Sequence, residues 1–85
     1  MSTWYVECEP DAEDELIRIW LSAHDPLAIT RAEARMYDLL SQDPINGGRY
    51  LSEGLYATDV PPLVINYRIN AATRNVKVTW ARIKE

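Results

Sequence analysis

Leu63 to Asn70 reads LVINYRIN, and Arg74 to Arg82 reads RNVKVTWAR. In the first segment Leu63, Ile65, Tyr67 and Ile69 fall on one side, and Val64, Asn66, Arg68 and Asn70 on the other. In the second, Val76, Val78 and Trp80 share a side, while Lys77, Thr79 and Ala81 share the opposite one. Side chains on a strand alternate between faces, so a period of two predicts a half-buried antiparallel hairpin turning at Ala71, Ala72 and Thr73. Its polar face carries basic residues.

Upstream, Pro61-Pro62 marks a turn, since neither residue donates a ladder hydrogen bond. Leu55 to Val60 before it reads as a strand, whereas Arg49 to Gly54 reads equally as a loop or an early strand. Ile29, Ala32, Met36, Leu39 and Leu40 form the stripe of a helix from Pro26 to about Gln42, with Asp25 as its N-cap. Asp43-Pro44 and Gly47-Gly48 end it. A first helix, from about Asp11 to Ala23, has Ala12, Leu16, Ile19, Trp20 and Ala23 on one face. Its first turns hold Asp11, Glu13, Asp14 and Glu15, where unpaired backbone N–H groups favour negative charge. Tyr5 to Cys8 is a short strand with Val6 and Cys8 inward and Glu7 outward. The short link between the helices implies an antiparallel helical hairpin. The expected fold is therefore α+β: an N-terminal strand and a helical hairpin packed on an antiparallel sheet, in the order β-α-α-β-β-β, as one domain over residues 1–85.

The chain of 85 residues has a net charge of −4, but the charge is divided. Residues 1–48 hold ten acids and three bases, and residues 49–85 three acids and six bases. Acids collecting at helix starts explain much of the first half; the basic half fits either a solvated surface or a partner surface. No apolar run is long enough to span a bilayer, and Met1-Ser2-Thr3-Trp4 does not open a signal peptide. With one cysteine there is no internal disulfide, and the expected location is the cytoplasm.

One cysteine and one histidine supply neither a zinc ligand set nor a Ser-His-Asp constellation, so no metal and no cofactor are expected. His24 reads as an exposed turn residue and Cys8 as a buried structural thiol. The basic residues Arg49, Arg68, Arg74, Lys77, Arg82 and Lys84 are candidates for a band across and around the sheet. Arginine holds phosphate or carboxylate through a planar fork, so the band suits RNA or an acidic protein. The alternative is ordinary pairing on a solvated face, for example to Glu53 or Asp59.

The order strand, helix, helix, strands, with Tyr67-Arg68-Ile69, a short turn, Val76-Lys77-Val78 and Arg82 beyond, resembles the RelE/ParE superfamily of type II toxin–antitoxin toxins, which includes plasmid stabilisation proteins. The opening agrees: a strand at Tyr5–Cys8, then Glu9-Pro10-Asp11 leading into a helix. The resemblance implies a toxin or toxin-like protein neutralised by a cognate antitoxin. RelE-type relatives cleave mRNA on the ribosome and hold phosphate with arginines and lysines, which implies catalytic roles for Arg82 and Arg68. Many also carry an aromatic residue or histidine after the final strand, which has no counterpart here. An arginine often found at the start of the penultimate strand is replaced by Pro61-Pro62-Leu63. ParE-type relatives share the fold without those residues and inhibit DNA gyrase. The comparison therefore favours a ParE-like target over mRNA and leaves enzymatic activity open. A non-toxic binding module that retains the fold is the other alternative. Tyr50 and Tyr56 are candidates either for the docking surface or for the core.

Overall fold

The computed structural model describes residues 3–84; Met1 and Ser2, read above as part of the chain's opening, and Glu85 lie outside the described residues. The elements are β1 (Tyr5–Cys8), α1 (Pro10–Ser22), α2 (Pro26–Gln42), β2 (Arg49–Ser52), β3 (Leu55–Val60), β4 (Leu63–Asn70) and β5 (Asn75–Ile83). One five-stranded sheet runs in the order β1-β5-β4-β3-β2. The expected α+β arrangement of a helical hairpin on a sheet is what forms. Of the two readings left open for Arg49 to Gly54, the strand is the one that forms, so four strands follow the helices rather than three. One detail differs from the expected antiparallel sheet: β1 runs parallel to β5 at the edge, so the sheet is mixed.

Helix α2 starts at Pro26 as expected, and α1 starts at Pro10, one residue ahead of the expected Asp11, because a proline in the first turn loses no hydrogen bond. Asp25 precedes α2, but its side chain makes no capping bond, nor does that of Glu9 before α1. Ala12, Leu16 and Ile19 of α1 and Ile29, Ala32, Met36 and Leu40 of α2 are buried against Leu63, Ile65, Tyr67, Val76, Val78 and Ala81 of the sheet. Each fully buried Leu, Ile, Val or Met contributes about 1.5–3 kcal/mol. Trp20, expected on the buried stripe, is exposed and donates its indole N–H to Thr30 Oγ1 at 3.2 Å. Its polar tip explains the position, because the indole N–H seeks a partner.

The hairpin of β4 and β5 holds the main correction. Asn66 faces Trp80, yet Tyr67 faces Val78, so Thr79 is an extra residue in β5. This β-bulge reverses the inward–outward phase of everything after it. Val76 and Val78 point to the helices as expected, but Ala81 is the next buried residue and Trp80 lies outside. Thr79 Oγ1 donates to the Asn66 carbonyl at 3.4 Å.

Two glycines are required by geometry. Gly54, at φ +68°, makes the turn between β2 and β3. At Gly48 a Cβ would stand 2.0 Å from the Tyr67 hydroxyl and 2.8 Å from the Ala57 carbonyl. That hydroxyl donates to the Pro44 carbonyl at 2.6 Å, tying the loop after α2 to the centre of the sheet.

Candidate functional site: the open face of the sheet

The helices cover one side of the sheet. Register places Glu7 of β1, Lys77, Trp80 and Arg82 of β5, Val64, Asn66 and Arg68 of β4, Ala57 and Asp59 of β3, and Arg49 of β2 on the other. Arg68 stands opposite Lys77, Val64 opposite Arg82, and Asn66 opposite Trp80. Arg68, Lys77, Asn70 and Asn75 border a shallow hollow of ≈450 Å³.

The six basic residues divide three ways. Asp59 gathers two of them: its carboxylate accepts from Lys84 Nζ at 2.6 Å and from Arg49 at 3.3 Å. Those contacts, the Lys84 hydrogen bond foremost, hold the Asp59 carboxyl below the usual carboxylate range. Lys77 pairs with Glu7 at 3.4 Å. Arg74 is not on the face at all. It occupies the turn before β5 at φ +55°, with its guanidinium 4.6 Å above the Trp4 ring. Arg68 and Arg82 are exposed and form no ion pair among the described residues. The structure thus brings Arg49, Arg68, Lys77, Arg82 and Lys84 to one side, neutralises part of that charge, and leaves two guanidinium groups open.

Sequence reasoning missed Trp80. Strict alternation assigned it to the core, and the inserted Thr79 carries no local signal. The indole is 43% exposed between Lys77 and Arg82 along β5.

Other candidates fall elsewhere. His24 is exposed at the turn between α1 and α2. Cys8, expected to be buried, is half-buried, with its Sγ 3.2 Å from the Tyr37 hydroxyl. Burial raises the thiol's pKa, and the contact with Cys8 raises that of the Tyr37 hydroxyl. Tyr50 is exposed at the sheet edge, Tyr56 is half-buried, and the three rings Tyr50, Tyr56 and Tyr67 follow one another at centroid separations of 5.6 and 5.7 Å. Among the described residues no helix is long and apolar enough to cross a membrane.

No protein-family model matches this chain. No curated protein matches it either. Solved structures do. A chain of the toxin–antitoxin complex RelBE2 from Mycobacterium tuberculosis is 17% identical, with a TM-score of 0.82 over 99% of this chain and 94% of that one. The chromosomal ParDE system of P. aeruginosa gives 15% identity and a TM-score of 0.70 over 98% of both chains. The isolated E. coli RelE toxin gives 10% and 0.67 over 96% of this chain and 85% of that one. At such identities the likeness is one of fold. With a helical hairpin on one side of its sheet and the other side open, this chain has the fold that RelE and ParE toxin–antitoxin proteins share.

Proposed function

We propose that this chain is the toxin component of a type II toxin–antitoxin pair, held inactive by a cognate antitoxin, and that the open face of its sheet engages the cellular target. The observation that carries this reading is the agreement of fold along nearly the whole of both chains with structures of RelBE2 and ParDE. The exposed guanidinium groups of Arg68 and Arg82 supply the target surface with its binding chemistry.

A ParE-like, non-nuclease mode fits the described face best. Its carboxylates, Glu7 and Asp59, are engaged by Lys77 and by Arg49 and Lys84. The chain's one histidine, His24, sits at the helix turn rather than on this face. A general base must reach the proton it removes, and among the described residues no free candidate stands beside Arg82. DNA gyrase is the target class that such a mode implies. The second reading is ribosome-dependent cleavage of mRNA. It draws on the two open arginines, which are placed to hold a phosphate between strands.

Induction of the chain alone in a bacterial host is expected to arrest growth, and co-expression of its cognate antitoxin to relieve it. Unimpaired growth at high expression of folded protein would remove the toxin reading and favour a non-toxic binding module. In the arrested cells, primer extension on mRNA separates the two modes. Cleavage abolished by Arg82→Ala would establish the nuclease, whereas intact mRNA with gyrase-linked DNA damage would establish the other.

A further inference from the structure

The two edges of the sheet differ. Beside β1 lies α2, whose Ser41 carbonyl accepts the Trp4 N–H at 2.8 Å. β2, at the other end of the strand order, has no strand beyond it, and all four of its residues are exposed. Outside its ladder with β3, no backbone–backbone hydrogen bond reaches Arg49–Ser52 among the described residues. Unpaired backbone groups along such an edge are a template for another strand, and free edges are commonly blunted by lysine, proline or a bulge. β2 carries neither lysine nor proline. Its bulge, at Leu51, shortens the available run rather than covering it.

The edge is also braced and apolar. Tyr50 meets Tyr56 edge-on at 5.6 Å, Tyr56 stacks on the buried Tyr67, and Arg49 is held by Asp59 at 3.3 Å. A strand fixed in this way loses little freedom on pairing. Tyr50, Leu51 and, in the loop just before, Ile45 are 62, 48 and 47% exposed. Charge selects the occupant. The run Arg49-Tyr50-Leu51-Ser52-Glu53 begins positive and ends negative. Glu53 is exposed and forms no ion pair among the described residues. A second copy laid antiparallel brings each positive end to the other's negative end, whereas a parallel copy would set like charges together.

We infer that two copies of this chain associate through β2, antiparallel about a two-fold axis between Tyr50 and Leu51. Tyr50 of each copy then stands opposite Leu51 of the other, and Arg49 lies beside the other copy's Ser52 and Glu53. Burial of the apolar pairs and the opposite charges across the strands both favour the contact. The interface is isologous, so it closes at the dimer once both β2 edges are used. It joins two five-stranded sheets into one and keeps both open faces on the same side. The short strand run and three apolar side chains per copy put the interface near the low end of stable ones, about 1,200 Å² in all, which implies a reversible dimer in the micromolar range. The inference does not depend on the toxin reading.

Sedimentation velocity of the full chain over about 5–200 μM is the test. The parent is expected to shift from the 9.8 kDa monomer toward twice that mass as concentration rises. Leu51→Lys, which places a charge within the pairing, should remain monomeric throughout. Arg49→Glu and Glu53→Lys should each weaken self-association about 10-fold, because each sets like charges together at both ends. Mixed in equal amounts, those two variants should form a dimer again, because opposite charges then meet at both ends. Circular dichroism matching the parent identifies the folded variants. Three results overturn the inference: a parent that is monomeric at the highest concentration, a dimer that survives Leu51→Lys, or a mixture that associates no better than its components. The first leaves the edge to a strand from another protein, and the other two move the dimer contact elsewhere on the surface. Growth arrest is a separate readout, so its absence would remove the toxin reading and not the dimer.

Discussion

Replacing Tyr67 with phenylalanine and Gly48 with alanine, singly and together, probes how the loop after α2 is fastened to the sheet. Tyr67 is fully buried, and its hydroxyl donates to the buried Pro44 carbonyl at 2.6 Å. Tyr67→Phe keeps the ring and deletes that bond, so a cost of about 1–2 kcal/mol is expected. For a domain of this size each kcal/mol lowers Tm by roughly 4–8 °C. Gly48→Ala puts a methyl 2.0 Å from the hydroxyl oxygen and 2.8 Å from the Ala57 carbonyl. The buried ring and β3, an inner strand that carries Ala57, both resist moving. Overpacking costs about 1–3 kcal/mol, and displacing the hydroxyl forfeits the Pro44 bond as well, giving about 2–5 kcal/mol in all. The double variant loses the bond only once and no longer has a hydroxyl to collide with. It should be less destabilised than the sum of the singles by about 1 kcal/mol or more. Urea unfolding followed by circular dichroism measures all three. Additive effects, or a Tyr67→Phe variant as stable as the parent, would refute the proposed linkage.

The same hydroxyl gives a pH signature. Burial, the main cause, pushes its pKa up to about 12. The unfolded chain ionises this tyrosine near pH 10, so the contribution is complete below that value and is lost as pH rises toward 12. The stability gap between the parent and Tyr67→Phe should therefore narrow over that interval.

Asp59 runs in the opposite direction. Lys84 and Arg49 lower its folded-state pKa, so its contribution is present above the ordinary carboxylate range and lost as pH falls through the folded value. Asp59→Asn should unfold less steeply in acid than the parent, and acid titration at fixed urea reads the difference; identical acid limbs would show that the triad is not maintained in solution. Cys8, with its thiol raised by burial and half-covered, should alkylate with iodoacetamide at pH 8 more slowly than an unstructured cysteine peptide. Equal rates would mean that the end of β1 opens readily.

Much of the architecture is legible in the sequence. The alternation in Leu63 to Asn70, the stripes from Ala12 to Ile19 and from Ile29 to Leu40, and the proline-led helix starts each state a local rule that the core obeys. The register of β5 did not follow the same rule, because nothing in the residues around Thr79 distinguishes a bulge from a continuing strand. Pairing partners for the basic residues were only partly visible. Asp59 was one named possibility, but Glu7 lies far from Lys77 in sequence and meets it only because β1 inserts beside β5 in parallel. Arg74, counted with the band, leaves it because its left-handed turn conformation directs the chain past Trp4.

The sequence by itself determined where the two helices and the strands from Leu55 to Val78 form and which side of most of them is buried, since period and turn chemistry are properties of contiguous residues. Only the tertiary structure decided what the open face presents. Strand order and one inserted threonine fixed which charges are neutralised by neighbours, left Arg68 and Arg82 exposed, and turned Trp80 toward them. Such relations are set by contacts between residues distant in the chain, which local patterns do not encode.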